Sequence, residues 1–123
     1  MEKKGIKVNK MWYKKAKDFS DRNLFNHKVR YLKQLYQKID YLKDMVYQSG
    51  TYTQKVISNI IYSNKITSYP ELRDHIISMY SSILDSPQTF EYQAIQLMDR
   101  IQNLIQTLKK EQQTKHERMK GWK

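Results

Sequence analysis

Apolar residues return every three or four positions along two long stretches of this chain. In the first, Leu32, Leu35, Ile39, Leu42 and Val46 are spaced three, four, three and four apart, with Phe25 ahead of them and Val29 and Tyr36 widening the stripe. In the second, Phe90, Ala94, Leu97, Ile101, Leu104 and Leu108 repeat this heptad spacing, widened by Met98 and Ile105. A helix turns once in about 3.6 residues, so each set forms one continuous apolar face. The spacing predicts a helix over 21–48 and another over 87–118. Ser20 and Asp21 offer an N-cap for the first. Ser49 and Gly50 close it, with Gly50 read as the left-handed residue that ends many helices.

Three shorter elements complete the pattern. Trp12, Ala16 and Phe19 share a face opposite Lys10, Lys14 and Lys17, which predicts a short helix over 11–19. Val56, Ile57, Ile60 and Ile61 sit at helical spacing within 51–66. They are β-branched, so a strand is the competing assignment, but no other segment offers a strand partner. Leu72, Ile76, Met79 and Ile83 predict a further helix, with Ser68 and Glu71 read as a capping box around Pro70. Asp85, Ser86 and Pro87 end that helix and start the next, since proline is tolerated in a first turn.

The expected fold is therefore all-α: an antiparallel bundle built on two long heptad-patterned helices joined by two shorter ones. Each stripe is wider than a two-stranded seam needs, so a bundle or a homodimer of such units fits better than a lone hairpin. Residues 1–10 lack periodicity and contain Gly5, and read as a basic flexible tail. A single helical domain spans 11–118, and 119–123 form a second flexible tail.

Composition narrows the function classes. The 123 residues include 3 Gly, 2 Pro and no Cys. Disulfides, thiolate nucleophiles and Cys-ligated zinc are excluded, which suits a reducing, cytoplasmic setting. Residues 1–7 are charged with no apolar stretch behind them, so no signal-peptide pattern is present. No run approaches the roughly 18–20 apolar residues of a membrane span.

Charge points toward a partner. The formal net charge is +11, and it is unevenly placed. Residues 1–20 carry 7 basic and 2 acidic groups, and 101–123 carry 6 and 2, whereas 61–100 carry 3 and 5. Basic ends around an acidic middle attract polyanions. A Lys-, Asn-, Ile- and Tyr-rich composition is also what a low-GC genome produces. Trp12, Tyr13, Lys14 and Lys15 combine rings with cations, and 21–48 interleaves Lys28, Arg30, Tyr31, Lys33, Lys38, Tyr41 and Lys43. Cations neutralise phosphates, and rings stack on unpaired bases. The candidate nucleic-acid contacts are Lys14, Lys15, Arg30, Lys33, Lys109, Lys110, Lys115 and Arg118. The short basic helix over 11–19 also has the amphipathic character of a membrane-surface segment, though packing of Trp12 and Phe19 on the bundle is the favoured reading.

Catalytic and metal chemistry find little purchase. His27, His75 and His116 are the only histidines, and none has metal-ligand spacing. Asp40 and Asp44 share a helix face, but Lys43 stands beside them, so a solvated charged face is the reading. No Gly-x-Ser-x-Gly and no glycine-rich phosphate loop occurs. The expectation is a non-enzymatic protein with no cofactor and no metal. Its leading partner is nucleic acid or a nucleoprotein complex. The alternative is a small helical inhibitor or adaptor that binds a host protein through an exposed apolar, Tyr-rich helix face.

One resemblance bears on this. The run Lys15-Ala16-Lys17-Asp18-Phe19, followed by Tyr31-Leu32-Lys33-Gln34-Leu35 and Ile39-Asp40-Tyr41-Leu42-Lys43, resembles the N-terminal helices of small late-gene transcription regulators of Gram-positive phages. Gln96-Leu97-Met98-Asp99-Arg100-Ile101, through Leu108-Lys109-Lys110, is similar to their second long helix. Together these cover under half of the chain. Those regulators end in a sigma-factor-like helix-turn-helix with no counterpart in this sequence. The resemblance implies a phage or mobile-element protein that keeps the helical body without the DNA-reading head.

Overall fold

A computed structural model describes the backbone of residues 2–120 and the side chains of residues 21–116. Among the described residues four α-helices follow one another: α1 (Glu2–Met45), α2 (Gly50–Ile61), α3 (Pro70–Tyr80) and α4 (Pro87–Lys120), with a 3₁₀ turn at Lys65–Ser68 before α3. No strand occurs among the described residues, so the β-branched run in 51–66 is helical. The helices form a ring. Each packs on its neighbour in sequence, and α1 closes the ring against α4 in the most extensive of these interfaces.

Both predicted stripes meet in the core. Leu32, Leu35, Ile39 and Leu42 of α1, and Val46 in the turn after it, are buried together with Phe90, Ala94, Leu97, Met98, Ile101 and Ile105 of α4. Ile57 and Ile60 of α2 and Leu72, Ile76 and Met79 of α3 fill the remaining sides. Each fully buried Leu or Ile contributes about 1.5–3 kcal/mol. Among the described residues the one buried polar side chain, Thr53, donates its hydroxyl to the Ser49 carbonyl at 2.9 Å. No buried side-chain polar atom among the described residues lacks a partner.

Several local expectations are corrected. The predicted break at Ser20 and Asp21, and the separate helix over 11–19, are absent: α1 runs unbroken through both. Residues 2–10, expected to be an aperiodic tail, are helical as well. Neither Ser nor Asp forbids a helix interior, and Gly5 costs only about 1 kcal/mol against Ala. Lysine is a good helix former, and the seven lysines of residues 1–20 carry these residues within one helix. At the other end α4 extends to Lys120, into the segment expected as a tail, and residues 121–123 lie outside the described residues.

Gly50 is not a left-handed cap, for no described glycine has positive φ. It is the first residue of α2. Ser49 caps that helix, with Oγ accepting the Tyr52 N–H at 3.2 Å. The small residue serves a close approach instead: a Cβ on Gly50 would stand 2.8 Å from Leu84 Cδ2 in the turn between α3 and α4. The capping box at Ser68 and Glu71 does not form either. Tyr69 takes the N-cap position with φ −131° and no side-chain cap bond. Pro70 drives the residue before it out of the α region, so the helix boundary falls one residue later than Ser68. Ser68 belongs instead to the 3₁₀ turn that buries Ile66.

Polar contacts fasten the helices at their ends. Arg73 Nε donates to the Ile61 carbonyl at 3.2 Å, placing a cation at the negative C-terminus of α2. His75 Nε2 bonds the Gln93 carbonyl at 3.0 Å, joining α3 to α4. The Tyr47 hydroxyl donates to Glu91, joining the turn after α1 to the start of α4.

Candidate functional site

α1 and α4 run antiparallel. Asp21, Phe25 and Lys28 of α1 face Leu108, Glu111 and Lys115 of α4 across a shallow cleft, while Tyr47 meets Glu91 near the opposite end. This pairing carries the basic beginning of α1 and the basic end of α4 to the same end of the molecule, although some hundred residues of chain separate them. The acids Asp40, Asp44, Asp85 and Glu91 lie toward the other end, where α1 hands over to α2 and α3 to α4. The molecule is therefore polarised along its long axis, a feature that counting charges along the chain shows only in part.

The predicted contacts do not form one stripe. Arg30 and Lys33 are exposed on α1, and Lys109, Lys110 and Lys115 are exposed on α4. Successive residues of a helix diverge by about 100°, so Lys109 and Lys110 leave α4 in different directions. Lys115 sits in the cleft with Lys28, where Asp21 and Glu111 offset the charge. The side chains of Lys14, Lys15 and Arg118 lie outside the described residues, as do those of Trp12 and Phe19. Among the described residues the only ion pairs join Lys43 to Asp40 at 3.2 Å and to Asp44 at 3.1 Å. These bonds, to Asp44 first and then to Asp40, raise the Lys43 pKa above its ordinary value. Asp40 and Asp44 are thus matched by a cation, and no group of three or more candidate metal ligands occurs among the described residues.

A concave site that the sequence does not announce lies between α1 and α2. Tyr31, Gln34 and Lys38 form one wall, and Tyr52, Asn59 and Lys65 the other, around a volume of about 540 Å³. Leu35, Val56 and Ile60 make its floor. No carboxylate lines it. The Tyr31 ring stacks on Tyr69 with centroids 5.8 Å apart and planes 17° from parallel. Lys65 Nζ stands 5.9 Å from the Tyr31 centroid, within reach of a cation–π attraction. Burial raises the Tyr31 pKa, and the neighbouring Tyr69 adds to the effect; burial also raises that of Tyr69. Both rings remain neutral phenols near pH 7. Tyr31 and Lys38 belong to the Lys/Tyr interleaving visible in the sequence. Tyr52, Asn59 and Lys65 gave no such signal, because only the packing of α2 on α1 brings them there.

A second cleft, between α3 and α4, mixes Glu71 and Asp74 with His75 and Arg100. Burial lowers the His75 pKa. Its bond to the Gln93 carbonyl works in the opposite direction, and Arg100 lowers it further. The ring is neutral near pH 7 and donates from Nε2 to the carbonyl oxygen. No described hydrogen bond links it to Asp74 or to Ser78.

No helix of the described residues is long and apolar enough to cross a membrane. Comparison with protein-family models, with curated proteins and with solved structures found no match in any of the three.

Proposed function

We propose that this is a non-enzymatic helical protein that engages nucleic acid, free or within a nucleoprotein complex, through cations on α1 and α4. One observation carries the reading. Antiparallel pairing gathers the basic stretches of both chain ends at one end of the molecule, where basic groups outnumber acids such as Asp21 and Glu111. Concentrated positive charge releases condensed counterions from a phosphate backbone and so binds it. Arg30, Lys33, Lys109, Lys110 and Lys115 are exposed, and none forms an ion pair with a described residue. The resemblance of the two long helices to phage late-gene regulators is in keeping with a phage or mobile-element protein acting at a transcription complex.

The test is fluorescence anisotropy of a labelled duplex and a labelled single strand, titrated with protein at low and moderate salt. A protein making several phosphate contacts loses affinity by orders of magnitude over such a range, about 10³–10⁵ for six to ten contacts between 50 and 200 mM. The expected result is binding at low salt with a steep linear fall of log K against log salt. Absence of binding at low salt overturns the reading.

A second reading, a small inhibitor or adaptor of a protein partner, rests on Tyr92 and Ile95. They lie one turn apart on α4 and are 64% and 44% exposed. Docking through such a face would vary little with salt, which separates it from the first reading.

A further inference from the structure

We propose that the groove between α1 and α2 is a binding site for a short stretch of single-stranded nucleic acid, with Tyr52 offering its ring to an unpaired base and Lys38 and Lys65 meeting the adjoining phosphates. The inference rests on the nucleic-acid reading above and gives it a place.

Charge complementarity comes first. Two of the residues lining the groove are cationic and none is acidic, in contrast with the cleft at Lys115, where Asp21 and Glu111 are present. An anion entering the groove meets no repulsion from its walls. The second observation is the ring. Tyr52 is 47% exposed at the mouth of the groove, the third residue of a helix whose N-terminus Ser49 caps. A rigid backbone thus holds an aromatic face toward solvent, which is the arrangement that stacks bases without regard to sequence.

The third observation is that part of the lining is already organised. Tyr31 is fixed by its stack on Tyr69, and Lys65 stands over the Tyr31 ring, so little freedom remains to be lost on binding. The amides of Gln34 and Asn59 supply donors and acceptors suited to base edges. The volume of about 540 Å³ falls within the range of small-ligand sites, about 300–1,000 Å³. A duplex shows such a groove only its phosphates, because its bases are stacked inside. An acidic peptide would use the two lysines but has no flat face for Tyr52. The combination favours an unpaired strand.

The experiment uses the full chain with three probes: a labelled oligothymidylate of about twelve nucleotides, within the range bound by single-strand sites, a duplex of equal length, and a polyglutamate peptide. Wild type is compared with Tyr52→Ala, Tyr52→Phe, the pair Lys38→Gln/Lys65→Gln and the pair Lys109→Gln/Lys110→Gln, each checked for unchanged helicity. Tyr52→Ala should weaken single-strand binding about tenfold or more while leaving duplex binding almost unchanged. Tyr52→Phe should retain the wild-type affinity, since the ring and not the hydroxyl does the stacking. Lys38→Gln/Lys65→Gln should flatten the salt dependence of single-strand binding.

If wild type binds the strand but Tyr52→Ala and Lys38→Gln/Lys65→Gln bind equally well, the groove is not the site; the broader reading then stands alone, and Lys109→Gln/Lys110→Gln should carry the loss. Equal weakening of single strand and duplex by Tyr52→Ala, or failure of Tyr52→Phe to rescue, overturns stacking. Tighter binding of polyglutamate, lost in the same groove variants, overturns the nucleic-acid assignment in favour of an acidic protein segment. Wild type that binds none of the nucleic acids overturns both readings together.

Discussion

The two ends of this molecule are built from the same pair of helices on different terms. From Val29 to Met45, α1 lies within a four-helix ring, and Leu32, Ile39 and Leu42 are fully buried. From Asp21 to Lys28 it has α4 beside it, but Phe25 is only half-buried and Leu24 is 55% exposed. Past Leu108 the apolar stripe of α4 gives way to Lys109, Lys110 and Lys115. Stability therefore resides where α2 and α3 complete the ring, and the protruding pair of helices adds the exposed cations Lys109, Lys110 and Lys115.

Core truncation tests this division most severely. Ile39→Ala should lower unfolding stability by about 2–5 kcal/mol, since it leaves a cavity among fully buried neighbours. Phe25→Ala should cost less than half as much, despite removing a larger side chain. Chemical denaturation of both variants checks this, and equal losses would break the comparison.

A smaller effect is expected at the hinge between α1 and α2. Ser49→Ala removes the cap on the Tyr52 N–H and should cost about 1 kcal/mol. Because α2 forms one wall of the ring, the loss should appear in global unfolding rather than as local fraying, which hydrogen exchange distinguishes.

The smallest expected effect is acid sensitivity at His75. Its folded pKa lies below the ordinary value of 6.5, chiefly through burial. The stabilisation that this neutral histidine confers is present above 6.5 and is lost as pH falls through the folded value. Its surroundings contain Glu71 and Asp74 on α3 and Arg100 on α4. Thermal melts from pH 7.5 to pH 5 should show a decline that is shallower in His75→Gln. An unchanged slope in that variant would assign the decline to other groups.

The success and failure of sequence reading follow the same physical division. The stripes of Leu32–Val46 and Phe90–Leu108 were legible because helical periodicity is local, and every buried position on them recurs with the period of the helix. Pro87 was legible because a proline in a first turn acts locally; Ser86, read only as part of that boundary, caps the helix, its Oγ accepting the Thr89 N–H at 3.3 Å. Ser20, Asp21 and Gly50 were misread because cap and turn residues permit a boundary without enforcing one. At Gly50 the deciding contact is Leu84, which lies in another turn. The candidate lysines were legible as charges but not as a surface.

By itself, then, the sequence determined that the chain is helical, which faces of its long helices are apolar, and that positive charge is heavy at both ends. These are properties of neighbours three or four residues apart. Tertiary structure alone decided that the two basic ends come to one end of the molecule and that Tyr31, Lys38, Tyr52 and Lys65 border one acid-free groove. The groove and the joined ends depend on which helix face packs against which, and that choice is made by burial of the whole core at once.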